Sequence, residues 1–115
     1  MTASEYAPFD IVVVPFPYSD RLAEKRRPAL IVSAAAMMKR YGLVWLAMIT
    51  SAANPRWDCD VPIADLRSAA LPAASMVRPV KIATAELSRV VRRVGRLGPA
   101  DAKAVKAALG EILAA

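Results

Sequence analysis

Nine prolines spread over 115 residues cut the apolar stretches of this chain into short pieces. Between them stand β-branched runs, above all Ile11-Val12-Val13-Val14, Leu30-Ile31-Val32 and Leu43-Val44-Trp45-Leu46. Such runs suit a pleated, half-buried surface, and prolines beside them are tolerated on edge or bulged strands. The pattern predicts strands over residues 9–16, 29–33, 43–49, 57–63, 75–81 and 90–94, the last closed by Gly95. A polar loop over 18–26 separates the first two. Residues 34–41 form a short helical or irregular excursion that turns at Gly42, and residues 64–70 form a helical turn before Pro72.

The period changes near the C-terminus. Pro99 suits a first helical position after Gly98, and Asp101 is favourable near the positive end of a helix. Val105, Ala108, Leu109, Ile112 and Leu113 trace one face of a closing amphipathic helix. The expected fold is mainly β with short helices: a single domain over 1–115, a small, strongly curved antiparallel sheet or partly open barrel completed by a C-terminal α-helix.

A chain of this length buries roughly 60% of its unfolded surface, and a hydrophobic content of 57% excludes a disordered chain. The net charge of +6 favours a polyanionic partner. The nearly uncharged run 29–38 falls well short of the roughly 20 residues of a membrane helix, so no membrane partner is expected. Glu5 stands where a secretory leader would carry lysines, which makes cytoplasmic residence the expectation. With one cysteine and no histidine, an ordinary zinc site and an internal disulfide are both excluded, and no cofactor is expected.

The densest chemistry is Lys25-Arg26-Arg27, set directly before Pro28 and the second strand. Three cations at a loop exit often only face solvent. A residue before proline is biased to extended backbone, however, and a guanidinium aimed from a strand entrance grips phosphate through two parallel hydrogen bonds. Thr50-Ser51 brings two hydroxyls to the end of the third strand, either as turn chemistry or as phosphate ligands. Asp58 and Asp60 share a face of an extended segment and, in so basic a chain, read as partners for arginine rather than as a magnesium site. Trp45 reads as core, Tyr18 and Trp57 flank polar loops where they can stack on bases, and Cys59 reads as a small buried hydrophobe.

Taken in order, Asp10-Ile11-Val12-Val13-Val14-Pro15-Phe16-Pro17-Tyr18-Ser19-Asp20, Lys25 to Val32, Ile49-Thr50-Ser51, Asp60-Val61-Pro62-Ile63, Val77 to Thr84 and Val94-Gly95-Arg96-Leu97 resemble the MazF/PemK-like toxins over nearly the whole chain. The resemblance implies an SH3-like small barrel of the MazF/CcdB-like kind with a C-terminal α-helix, which dimerises, is the toxin of a type II toxin-antitoxin pair, cuts single-stranded RNA without a metal and is inhibited by a cognate antitoxin. By position it implies Arg27 and Thr50 as catalytic and Arg78 as a further arginine used by some members. Ser51 assists Thr50, while Lys25, Arg26 and Arg78 extend a cationic track for RNA. Two positions depart from the family: Phe9 where many members have glycine, and Val80 where some carry an acid. Asp10, Asp20 and Glu24 are the carboxylates nearest the basic loop in sequence, and none is assigned as a base. Two rival readings stand beside the nuclease: a gyrase-binding toxin on the same barrel, which would need a tryptophan-bearing tip where this chain ends Gly110-Glu111-Ile112-Leu113-Ala114-Ala115, and a catalytically inactive nucleic-acid-binding barrel.

Overall fold

The computed structural model describes residues 6–15 and 25–114. Six strands form one antiparallel sheet: β1 (Asp10–Pro15), β2 (Arg26–Ile31), β3 (Leu43–Ser51), β4 (Val61–Pro62), β5 (Ser75–Glu86) and β6 (Arg92–Arg96). Their spatial order is β4-β5-β3-β2-β1-β6. Three helices complete the chain: α1 (Ala35–Tyr41), α2 (Leu66–Ala69) and α3 (Pro99–Ile112). This is the mainly-β, curled half-barrel with a C-terminal helix that the proline-broken runs predicted. No helix among the described residues is long and apolar enough to cross a membrane.

Alternation along each strand supplies two cores, one on each face of the sheet. Val12, Val14, Ala29, Ile31, Val44 and Leu46 face one way and pack under Met38 of α1, with Tyr6, Leu87 and Val90. Ile11, Leu30, Ala47, Ile49 and Val77 face the other way, against Ala69 of α2 and Val105 of α3. Curvature comes from two irregularities in register. Ile11 pairs with Gly95 but Val12 with Arg93, so Val94 is an extra residue in β6. Ala47 pairs with Ile82 but Met48 with Arg78, which leaves Pro79, Val80 and Lys81 without partners on β3 and bends β5 sharply.

Several elements differ from the sequence reading. Residues 57–63 are not one strand, because the Asp60 side chain accepts from Trp57 N–H at 2.8 Å and Asp60 N–H donates to Trp57 O at 3.0 Å. That turn leaves only Val61 and Pro62 to pair, and Asp58 and Asp60 do not share a strand face. Trp45 is not core: alternation puts it on the Ala47 side, where it stays 44% exposed. Cys59 is half-buried rather than enclosed. The last strand runs one residue past Gly95, at a position where a Cβ would lie 2.2 Å from the Ala69 backbone oxygen, so α2 can approach β6 only because no side chain is there. The α3 start follows expectation, with Gly98 as cap and Pro99 first in the helix. Asp101 accepts from Ala64 and Asp65 N–H, both at 3.0 Å, tying α3 to the loop before α2.

Phe9 has φ 72°. It follows Pro8 in a turn closed by Asp10 N–H to Ala7 O at 3.1 Å, the pattern of a type II turn whose third place favours glycine. A glycine would take this conformation without strain; here a phenylalanine takes it while packing against the second core.

Gly95→Ala is expected to cost about 1 to 3 kcal/mol through overpacking against backbone that no rotamer change can relieve. Gly110→Ala in α3, where a Cβ meets nothing within 4 Å, should instead stabilise by about 0.5 to 1 kcal/mol. Urea denaturation of the two variants checks both signs.

Candidate functional site

Arg27 reaches its place through strand pairing. It lies opposite Val14 of β1, and the β2–β3 register places Ala29 opposite Met48. Carried two residues further along both strands, that register brings Arg27 abreast of Thr50. Both lie on the face of the first core, where its apolar side chains give way to polar ones. Together with Pro28, Met48, Ser51 and Asn54 they line a groove of about 300 Å³, whose far wall is residues 71–75. Arg27 is exposed, and Thr50 keeps 8% of its surface while lining the groove. A guanidinium and a hydroxyl separated by 23 positions in the chain therefore open on one cleft.

The other residues singled out from the sequence are distributed unevenly. Ser51, the last residue of β3, is at the groove, and its Oγ accepts from Ala53 N–H at 3.1 Å. Lys25 and Arg26 are exposed at the start of β2, and the pleat turns Arg26 to the opposite side of the strand from Arg27. Asp10 is completely buried, accepting from Ala7 N–H at 2.9 Å and from Arg96 Nη1 at 2.8 Å, with Arg93 Nη1 3.6 Å away. It is a structural anion, out of reach of a substrate. Tyr18, Asp20 and Glu24 lie outside the described residues.

Arg78 does something other than line a cationic track. Its register partner is Met48, so it stands on the same sheet face as Thr50. Arg78 is 7% exposed, and its guanidinium is enclosed by protein groups. Nη2 and Nε donate to Asp60 at 2.8 and 3.1 Å, Nη2 also donates to Pro55 O at 2.9 Å, and the Trp57 ring lies 3.9 Å beneath. One stacking face of Trp57 is thereby taken. Arg56 Nη2 adds a bond to Asp60 O at 3.2 Å. These contacts fasten the loop 52–60, and the loop carries Asn54, whose Nδ2 donates to Thr50 Oγ1 at 2.7 Å. Sequence reasoning missed Asn54; the available signal was the turn-forming Asn54-Pro55 pair directly after the hydroxyl-bearing strand end.

Burial by itself would raise the Asp60 pKa, but the Arg78 hydrogen bonds, the Trp57 N–H and the charges of Arg78 and Arg56 outweigh it and hold the carboxyl below its ordinary 3.8. The hydrogen bonds to Asp60 in turn raise Arg78, against the opposing effect of burial. Because the folded-state value is depressed, the stability from Asp60 is fully present above pH 3.8 and is lost as pH falls through the lower folded value. Arg78→Ala should therefore cost about 3 kcal/mol at pH 7, by stranding a buried carboxylate. In urea titrations its deficit against the unsubstituted protein should shrink in the acid range below the ordinary carboxylate value.

Likenesses to solved structures span most of the chain. The chain is similar in structure to MazF from Deinococcus radiodurans, with a TM-score of 0.73 at 23% identity, covering 96% of this chain and 97% of that one. It is similar to the Mycobacterium tuberculosis toxin MazF-mt6, with a TM-score of 0.71 at 22% identity over 89% and 93% of the two chains. It is also similar to an endoribonuclease in complex with its cognate antitoxin from Mycobacterial species, with a TM-score of 0.72 at 19% identity over 96% and 93%. No curated protein matches in sequence. These structural likenesses establish a shared fold, and a family model decides membership: residues 7–113 match the PemK-like, MazF-like toxin of type II toxin-antitoxin system, and the chain belongs to that family.

Proposed function

We propose that this toxin is an endoribonuclease that cuts single-stranded RNA at short preferred sequences, by attack of a 2′-hydroxyl on the adjacent phosphorus. The observation that carries this reading is the meeting of Arg27 and Thr50 on one groove. The reaction needs no metal and no protein nucleophile, since the 2′-oxygen forms the new P–O bond as the 5′-oxygen leaves. What it requires from the protein is stabilisation of phosphorane charge and control of protons. Arg27 supplies charge and paired donors, a preorganised contribution of about 3 kcal/mol. A guanidinium offers N–H donors and no acceptor, so it does not serve as the base. Thr50 donates to a phosphate oxygen, with Ser51 beside it, and Lys25 and Arg26 add affinity along the strand. In this reading Arg78 acts from below, by keeping the loop 52–60 in place.

The toxin's protein partners are a second copy of itself and a cognate antitoxin. Supporting this, Leu43, Trp45, Val80 and Ile82 are exposed, and the register that sets Trp45 opposite Thr84 and Ala47 opposite Ile82 puts Trp45 and Ile82 side by side on one sheet face. Ile112 and Leu113, 40% and 57% exposed, continue the apolar face of α3 past its buried part. Grouped apolar surface of this kind marks contact sites.

Purified protein incubated with a defined RNA pool should give discrete cut ends, and a single 2′-deoxy substitution at a mapped cut should block that cut. Arg27→Ala and Thr50→Ala should each lower the rate by about 100-fold or more while remaining folded. Wild-type cutting by both variants would reject the assignment. Size-exclusion chromatography at micromolar concentration should show a dimer, and a stable monomer there would remove the pairing proposal.

A further inference from the structure

Thr50 can serve a phosphate only if its single proton points at it. A hydroxyl accepts at two positions and donates from one, and it rotates freely about its C–O bond unless a neighbour fixes it. Asn54 is that neighbour. Its Nδ2 donates to Thr50 Oγ1 at 2.7 Å, so the amide occupies an acceptor position and the threonine proton is left to point away from Asn54. Both residues line the same groove. We infer that Asn54 is a positioning residue that sets Thr50 as a hydrogen-bond donor toward the scissile phosphate. This rests on the ribonuclease reading and extends it to a residue outside the Arg27–Thr50 pair.

The placement is held from both sides. Asn54 N–H donates to Ser51 O at 3.0 Å, and the carbonyl of the next residue, Pro55, accepts from Arg78 Nη2 at 2.9 Å. The loop is thus pinned to the end of β3 at one point and to the buried Arg78–Asp60 pair at the other. Asn54 itself is exposed, so its side chain can be changed without opening either core.

The direction of the bond is what the experiment must read. Asn54→Asp keeps the shape but presents an anion that can only accept, which turns the Thr50 proton toward the new carboxylate and away from the groove. Asn54→Ala simply frees the hydroxyl among three staggered positions. Ala53→Asp places the same charge one residue away, without reach to Thr50 being implied, and controls for repulsion of RNA. With an RNA carrying one mapped cut site, kcat and KM are measured for the four proteins, with urea midpoints to verify the fold.

Asn54→Ala should lower kcat by about 3-fold, the loss of one fixed position in three. Asn54→Asp should lower it by about 100-fold at pH 7, the effect of removing one preorganised donor. Its deficit should narrow to about 10-fold by pH 5, where roughly a tenth of the new carboxyl carries a proton and can donate again. Ala53→Asp should raise KM alone. If the wild type cuts but Asn54→Asp matches either the wild type or Ala53→Asp, or if the Asn54→Asp deficit does not change with pH, the positioning role is overturned and the nuclease reading stands. If the wild type leaves a diverse RNA pool intact, the nuclease reading falls and this inference falls with it.

Discussion

The buried pair of Arg78 and Asp60 is the contact around which the functional end of the molecule is organised. An unpaired charge on either side would be strongly destabilising where they lie, so each fixes the other, and each brings a piece of chain with it. Asp60 closes the turn with Trp57, Arg78 takes the Pro55 carbonyl, and the indole covers the guanidinium. Arg78 is also the last residue of β5 to pair with β3 before three residues without partners. The sharpest bend of the sheet and the attachment of the loop above Thr50 therefore share one side chain.

A sheet buried on both faces has few places for polar groups. This one has two cores because each strand alternates cleanly, and the alternation has to end somewhere. Along β2 and β3 it ends with Arg27 and Thr50, which occupy positions where the preceding residues of the same face, Ala29 and Met48, belong to or pack against the first core. The groove is the mouth of that core. Arg27 and Thr50 are consequently carried on strands, while Asn54 is brought to the groove by a loop that the buried ion pair fastens. Positioning on strands suits a reaction in which displacement of a donor by a fraction of an ångström changes its contribution.

Much of this was legible in the sequence, and the limit was physical. β-branched runs, bounding prolines, the Gly42 turn and the Pro99 start report local preferences, so element order and fold class followed from them. The convergence of Arg27 and Thr50 required the β2–β3 register, and that came only through the family resemblance. Trp45 sits inside an apolar run, which suggests core, but β3 is unevenly covered and leaves this position 44% exposed. The strand read over 57–63 failed because an aspartate side chain competed for the backbone N–H of Trp57. Arg78 was recognised as important but read as a surface cation, since nothing local to it reveals that Asp60, 18 residues earlier, folds back onto it. Asn54 left almost no trace, because one hydrogen bond across four residues has no periodicity.

The two outermost strands differ from the others in what they offer to a neighbour. β4 is two residues long and half proline. β6 is kinked by its extra residue and carries Arg92, Arg93 and Arg96, two of them turned to the buried Asp10. A short proline-capped rim at one end and a bent, guanidinium-studded rim at the other are poor templates for an incoming strand. A chain rich in aliphatic residues is thereby guarded against edge-to-edge stacking into fibrils.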